Sequence, residues 1–484
     1  MARNETSPQK PKVVMVVDNG IAGDSRVQKC AVAVASHGYD VTLYGTETDV
    51  PAPKLPGVTI KRVPNPPANR LKSWQVLLLN LVFFVAYKTR QSALDRYDEL
   101  AIIRNRNRDR YPKFSVRGIS SRIWYLVISK WHLVRNKARQ IRVRVEEALK
   151  RRAGTPDTER PTINYRYEKA FLELLLKEKP DILHTHDYKV VSVGGLAKSA
   201  LEQAGHRTVW IYDAHEFVPG LEQYAQDWRE AQSANEATYI KQADRIITVS
   251  NRLAEMLVER HHLDSLPDVV LNAPTVGEAI PATRNLRADC GIGEDTPLAI
   301  YLGGISPMRG LDTVINALEF IPELHVSLVA KRNVHVDALE DRAYQLGAKD
   351  RLHIVPYVSP NEIVDYIKTA TIGVVPLLFT INHSSALPSK FYEYACAGVP
   401  ILGSDVGEIP IMLNRTGVGE VFSAGSVESF VEQMNKMLAN RSEYASRFEG
   451  SVLETCTWEN QALVLGEIYQ EISDAINHQS QLAQ

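Results

Sequence analysis

The stretch LPSKFYEYACAGVPILGSDVGEI, beginning at Leu387, places a lysine and a glutamate inside a run that otherwise reads as a buried helix followed by a buried strand. A helix from Pro388 to Ala397 puts Ser389, Lys390 and Glu393 on one face, at spacings of three and four. Phe391, Tyr394 and Ala395 then turn toward a core. Pro388 suits a first helical turn, and Gly398 with Pro400 stops the helix. The unpaired N–H groups and the dipole at such a helix tip favour an anion. Lys390 can reach a phosphate there, and the Glu393 carboxylate suits the vicinal diol of a ribose. The same pair also fits an exposed Lys–Glu contact of little energetic consequence. A second stretch, YLGGISPMRGLDTVINAL (301–318), reads as strand, glycine-rich turn and helix. In that form the backbone at Gly303 and Gly304 can approach a pyrophosphate, and Arg309 adds fixed positive charge. It is neither a G-x-G-x-x-G fingerprint nor a P-loop, so nicotinamide or ATP use is not indicated.

Three histidines form a further group. His184, His186 and His215 all end predicted strands, DILHTH (181–186) and TVWIYDAH (208–215). The carboxyl ends of strands in an open parallel sheet line the ligand crevice. With Asp187, Asp213 and Glu216 these histidines also suggest a metal site, although no ligand spacing matches a known motif. Gly20, Gly23, Asp24 and Arg26 occupy the first strand–helix turn.

The elements that must position these residues alternate between strand and amphipathic helix. VVMVV (13–17), the helix RVQKCAVAVASHG and VTLYG (41–45) make a βαβ opening, and RIITVS (245–250) continues the rhythm. A second series, LAIYLGG, HVSLVAK, RLHIVPY, IGVVPL, PILGS and GEVFS, begins near Pro297. The Pro-, Gly- and charge-rich stretch from Asn272 to Pro297 reads as an interdomain linker. The expected class is therefore α/β: two doubly wound, Rossmann-like domains facing a cleft, at about 11–275 and 276–458.

The chain has 484 residues, is 44% hydrophobic and 23% charged, and carries a formal net charge of −1, so any basic surface must be local. Cys30, Cys290, Cys396 and Cys456 are scattered, which argues against a zinc site or a disulfide framework and for a reducing compartment. The polar start MARNETSPQKPK lacks an apolar secretory core, so a cytoplasmic protein is expected. The run WQVLLLNLVFFVAY from Trp74 falls short of the roughly twenty residues of a membrane span. From about 70 to 165 the rhythm breaks into a basic helical insert, with 16 Lys/Arg against 3 Asp/Glu between 101 and 152. Trp124, Tyr125 and Trp131 interleave with those charges, as on a helix at an anionic membrane surface. A merely solvated helical excursion remains the alternative. Nucleic acid is not expected, since no recognised nucleic-acid module accompanies the charge.

Taken together, DNGIAGDSRVQKCAVAVASHGYDVTLYG, DILHTHDY, IYDAHEF, ADRIITVS, VVLNAP, YLGGISPMRGLD and LPSKFYEYACAGVPILGSD resemble the retaining glycosyltransferases of the GT-B fold, family 4. The resemblance covers nearly the whole chain apart from the basic insert. It implies an acceptor site in the N-terminal domain, a nucleotide-sugar site in the C-terminal one, and a last helix, about 459–476, crossing back to the first domain. Glu393 matches the second glutamate of the family's pair separated by seven residues and would bind the ribose. Ser385 stands where the first glutamate, usually a contact of the donor sugar, is expected. Arg309 would lie on the diphosphate, with Gly303 or Gly304 in place of the usual preceding arginine and Lys331 as a substitute charge. Pro356, Tyr357 and Val358 would lie near the base, and Ser389 and Lys390 near the phosphates. His186 matches the histidine placed beside the transferred sugar, so His186, Arg309 and Glu393 are the expected catalytic set. Gly20, Gly23, Asp24, Arg26 and His215 are the expected acceptor contacts. No cofactor or metal is expected. The acceptor would be a glycan or a lipid-linked saccharide at the inner face of the plasma membrane, in polysaccharide biosynthesis. Two alternatives stay open: a nucleotide-sugar epimerase, and a catalytically silent scaffold that binds lipid or partners.

Overall fold

The computed structural model describes residues 11–64, 96, 100, 116–152, 164–277, 282–359 and 361–482. Its contacts divide the chain into two compact units: Met1–Pro66, Pro161–Lys331 and Arg342–Gln484 in one, and Pro67–Arg160 with Arg332–Asp341 in the other.

The first unit holds two parallel sheets. One runs β3-β2-β1-β4-β5-β6-β7, from β1 (Lys12–Val17), β2 (Asp40–Thr46), β3 (Val58–Val63), β4 (Ile182–His186), β5 (Val209–Ala214), β6 (Arg245–Thr248) and β7 (Asp268–Val269). The other runs β10-β9-β8-β11-β12-β13, from β8 (Leu298–Leu302), β9 (His325–Val329), β10 (Leu352–Val355), β11 (Ile372–Val375), β12 (Ile401–Ser404) and β13 (Gly419–Phe422). Strand β1 is covered on both faces, which is why Val13 to Val17 form an uninterrupted apolar run. Edge strand β3 instead alternates between half-buried and exposed residues until it reaches Val63. The strand order reverses between β1 and β4 and between β8 and β11, and a crevice opens beyond the carboxyl ends at each switch point.

The final helix, Trp458–Leu482, continues past the expected 476. It follows the second sheet in sequence yet packs Trp458, Leu465, Ile468, Tyr469 and Ile472 into the core of the first, against Val13, Met15, Val27 and Val34. Glu459 Oε1 accepts hydrogen bonds from the backbone N–H groups of Val276 and Gly277, 2.9 and 2.7 Å away, at the connection between the sheets.

In the second unit, taken by itself, the helix Val116–Arg152 is basic along its length. Ile119, Ile123, Leu126, Val127, Val134 and Ile141 recur at helical spacing along it, and each is exposed, from 45% at Ile141 to 61% at Val127. Of the expected excursion, 70–95, 97–99, 101–115 and 153–163 lie outside the described residues, as does the run from Trp74. Among the described residues no helix is long and apolar enough to cross a membrane.

Candidate functional site

A cleft of about 1600 Å³ lies where the switch points of the two sheets meet. On the first-sheet side it is lined by Gly20, Gly23, Asp24, Arg26 and His215. On the other it is lined by Gly303, Gly304, Arg309, Lys331, Tyr357, Val358, Ser389, Lys390 and Glu393.

The second wall is built from β8 and the helix Ser389–Cys396. The chain leaves β8 through Gly303, at φ +101°, and makes a short 3₁₀ turn, Pro307–Arg309. Gly310 follows at φ +69°, and a Cβ there would meet the Pro376 carbonyl oxygen at 1.8 Å. Only glycine lets the turn pack so closely on the end of β11, and that packing fixes where Arg309 stands. Lys390 is 7% exposed; its Nζ donates to the Tyr301 hydroxyl at 3.1 Å and lies 4.1 Å from that ring's centroid. The Tyr301 hydroxyl in turn donates to the Gly304 carbonyl at 2.9 Å, tying the lysine to the glycine turn. Burial, with Arg309 adding to it and Glu393 opposing, lowers the Lys390 ammonium to about 7. Among the described residues none donates a hydrogen bond to the Glu393 carboxylate, and burial raises its pKa against the pull of Lys390 and Lys29. Ser389 begins the helix, after Pro388 at the N-cap, and is exposed. Lys331 is exposed and sits 5.6 Å above the ring of Tyr357, itself 60% exposed; Val358 is buried beneath.

The first wall depends on Asp213 at the end of β5, which is fully buried. Its Oδ1 accepts from Arg26 Nη2 at 2.8 Å, and its Oδ2 from Arg26 Nε at 2.9 Å and from the imidazoles of His186 and His215, each at 3.1 Å. Arg26 Nη1 donates to the Val270 carbonyl at 2.7 Å. Burial alone would lower the pKa of His215, but the charge and hydrogen bond of Asp213 outweigh it and raise it to about 9. For His186 burial wins over Asp213, and the ring is held neutral. His184 stacks on His186 with centroids 4.0 Å apart, and its Nδ1 lies 2.9 Å from the hydroxyl of Tyr469 on the final helix. Burial, then His186, pushes its pKa well down.

Two expectations change. His186 is 0% exposed and does not line the cleft; it stands behind His215, because the alternation of β4 turns its ring toward Asp213. Arg26 borders the cleft but is 3% exposed, and all three nitrogens of its guanidinium are engaged by Asp213 and Val270, so it serves the wall itself more than an acceptor. His215 is the cationic group that the first wall turns to the cleft. Asp24 caps the first helix, accepting from Val27 N at 3.2 Å and Asn19 Nδ2 at 2.8 Å.

His184, His186 and Asp213 could bring three ligand atoms within 4.8 Å of one another, and both Nε2 atoms are buried without partners. The carboxylate, however, is already paired with a guanidinium, and a metal ion bound to it would sit against that fixed positive charge. Asp187 and Glu216, the other acids of the expected group, have pKa values raised first by burial. Ser385 is 3% exposed and donates its hydroxyl to the Asn382 carbonyl at 2.9 Å, while its own backbone carbonyl accepts the Ser250 hydroxyl from across the cleft at 2.5 Å.

Residues 282–450 match the family model for glycosyl transferases group 1, and residues 133–273 that for glycosyltransferase family 4. The fold resembles sucrose-phosphate synthase from Thermosynechococcus elongatus, with a TM-score of 0.63 at 14% identity over 96% of this chain and 100% of that one. It also resembles Anabaena HepE in complex with UDP and glucose, with a TM-score of 0.58 at 10% identity over 96% and 99%. The chain belongs to the GT-B glycosyltransferases of the family 4 type. Curated relatives of this GT-B chain include D-inositol 3-phosphate glycosyltransferases. That of Mycolicibacterium gilvum is 26% identical over 49% of this chain and 54% of the relative; that of Corynebacterium glutamicum is 24% identical over 68% and 80%. The chain spans about half the length of the first such relatives, 48% for the Mycobacteroides abscessus protein.

Within this GT-B cleft, sequence reasoning missed Asp213 as the organising group, Tyr301 under Lys390, and His383. Asp213 carried a signal in its place two residues before His215, which puts both side chains on one side of β5. Tyr301 and His383 carried none, because each matters through a carbonyl or a cation supplied by another element.

Proposed function

We propose that this chain is a glycosyltransferase that moves a sugar from a nucleotide-diphosphate sugar to an acceptor hydroxyl, with retention of configuration and without a metal ion. The observation that carries this reading is the second wall of the cleft, where the Glu393 carboxylate, to which none of the described residues donates a hydrogen bond, lies beside two basic groups, Arg309 and Lys390, and a glycine turn. The carboxylate accepts the two ribose hydroxyls. Arg309, Lys390 and the backbone at Gly303 and Gly304 hold the diphosphate. As the bond from the anomeric carbon to the phosphate oxygen breaks, negative charge grows on the phosphate and these groups stabilise it. The acceptor oxygen bonds to the anomeric carbon on the same face, and its proton passes to the departing phosphate. His215, as an imidazolium held by Asp213, donates a hydrogen bond into the same space from the first wall. Metal independence is supported by this wall of cations, which supplies the charge that a divalent ion would otherwise bring. HepE, a structural neighbour, binds UDP and UDP-glucose, so uridine nucleotides are the first donors to try.

The acceptor is proposed to be a lipid-linked or cell-surface saccharide, reached at the cytoplasmic face of the plasma membrane. Support comes from the helix Val116–Arg152, whose exposed apolar row lies among many basic side chains. Each lysine or arginine near an anionic surface adds about 1 kcal/mol of attraction.

Glu393→Ala is expected to lower turnover about a hundredfold or more, since two charge-assisted hydrogen bonds are lost, while leaving Tm unchanged. A steady-state assay with UDP-glucose beside a thermal melt checks this, and undiminished turnover would refute the ribose role. Because Lys390 is neutral above about 7 and must regain its proton to pair with a diphosphate, UDP affinity should fall as pH rises from 7 to 9. The slope should approach tenfold per pH unit, with proton uptake visible by calorimetry in buffers of different ionisation heat and absent in Lys390→Met. In flotation with liposomes, the protein should rise with vesicles containing phosphatidylglycerol and not with pure phosphatidylcholine; equal recovery from both would remove the membrane proposal.

A further inference from the structure

We propose that His383 is a donor-sugar contact, an uncharged acceptor that reads one sugar hydroxyl through its Nε2. The inference rests on the nucleotide-sugar reading above and names the group that would select the sugar.

His383 lies in the short helix Ile381–Ser385 and lines the cleft, half-buried. Its backbone N–H donates to the Thr380 hydroxyl at 3.0 Å, which fixes the turn. Its Nδ1 is 2.8 Å from the Leu378 carbonyl oxygen. A carbonyl only accepts, so Nδ1 carries the hydrogen and Nε2 keeps its lone pair. Among the described residues no group hydrogen-bonds to that Nε2. Burial, reinforced by Arg309 and Lys390, lowers the ring's pKa against the Leu378 hydrogen bond and Glu222, so the neutral form persists at pH 7.

The charged neighbours also say where the ring stands. Arg309 and Lys390 belong to the diphosphate well of the second wall, and Glu222 belongs to the first wall. A group attached to the outer phosphate of a diphosphate held in that well must enter the space between those walls. The rest of the short helix offers it little. Ser385 has its hydroxyl turned back to the Asn382 carbonyl, and the Asn382 side-chain oxygen accepts the Phe217 N–H at 3.0 Å from across the cleft. On this segment the His383 Nε2 is a cleft-lining acceptor that takes no hydrogen bond from the described residues. A neutral acceptor holds a hydroxyl without attracting a cation, and a sugar lacking that hydroxyl leaves it buried and unpaired, which is how such a contact discriminates.

The test uses the intact chain. A thermal-shift screen of UDP-glucose, GDP-mannose and ADP-glucose identifies the conjugate that stabilises the wild type most. Calorimetry then compares that conjugate with its bare nucleoside diphosphate. His383→Ala should weaken the conjugate about three- to tenfold, the loss of one hydrogen bond, and leave the bare nucleotide unchanged, which also reports that the cleft is intact. His383→Gln, whose amide oxygen can accept, should recover part of the loss. An equal loss for both ligands, no loss for either, or a glutamine variant no better than alanine overturns the role given to His383 while the nucleotide-sugar reading stands. Failure of the wild type to bind any conjugate or nucleotide overturns both.

Discussion

The first wall of the cleft depends on one buried ion pair, the bidentate contact between Arg26 and Asp213. A carboxylate with no exposure to water must be fully engaged, and Asp213 is engaged by four donors: two from the guanidinium and one from each of two imidazoles. Removing one partner of such a pair typically costs about 3–5 kcal/mol, because the other charge is left uncompensated. The pair is therefore a constraint more than a source of stability. It fixes the first turn of the helix Ser25–Ser36, the end of β5 and the loop after β7 with respect to one another, and its carboxylate, set against burial, decides which histidine carries a proton.

That decision has a spatial logic. His186 and His215 both lean on the same carboxylate oxygen, yet one is entirely enclosed and the other borders the cleft. Burial drains charge from the enclosed ring and Asp213 sustains it on the bordering one. Behind them, His184 stacks on His186 and meets the Tyr469 hydroxyl, so a helix that comes after the second sheet braces the back of the first wall. The second wall works differently. There Lys390 is held over the Tyr301 ring at the edge of neutrality, and Arg309 is carried on a turn that only Gly310 permits. The two walls meet through the short helix Ile381–Ser385, which bonds to Phe217 and Ser250 of the opposite side.

Much of this was legible from the residues. Apolar runs bounded by glycine marked the strands around the site, and the face shared by Ser389, Lys390 and Glu393 followed from helical spacing. Strands β3 and β7 were not singled out, because an alternating edge strand and a two-residue strand leave weak patterns. His186 was misjudged for a physical reason: a strand ending places a histidine near the crevice, but not which way its ring turns. The direction is set by Asp213, and the free use of Arg26 is removed by the same residue, 187 positions away. Pairings at that distance leave no trace in a single sequence. Likewise the lone pair of His383 depends on the Leu378 carbonyl, which no residue type announces.

The central claim is that Asp213 holds a proton on His215 while burial, against the same carboxylate, keeps one off His186. Its most direct measurement is a titration of the histidine ring resonances by NMR from pH 5 to 10, assigned with His186→Gln and His215→Gln. The account predicts a His215 imidazolium that persists through neutral pH and titrates near 9, beside a His186 ring that titrates below the ordinary histidine value and is neutral at pH 7. A His215 that titrates near the ordinary histidine value, or a His186 that carries charge at pH 7, would contradict it.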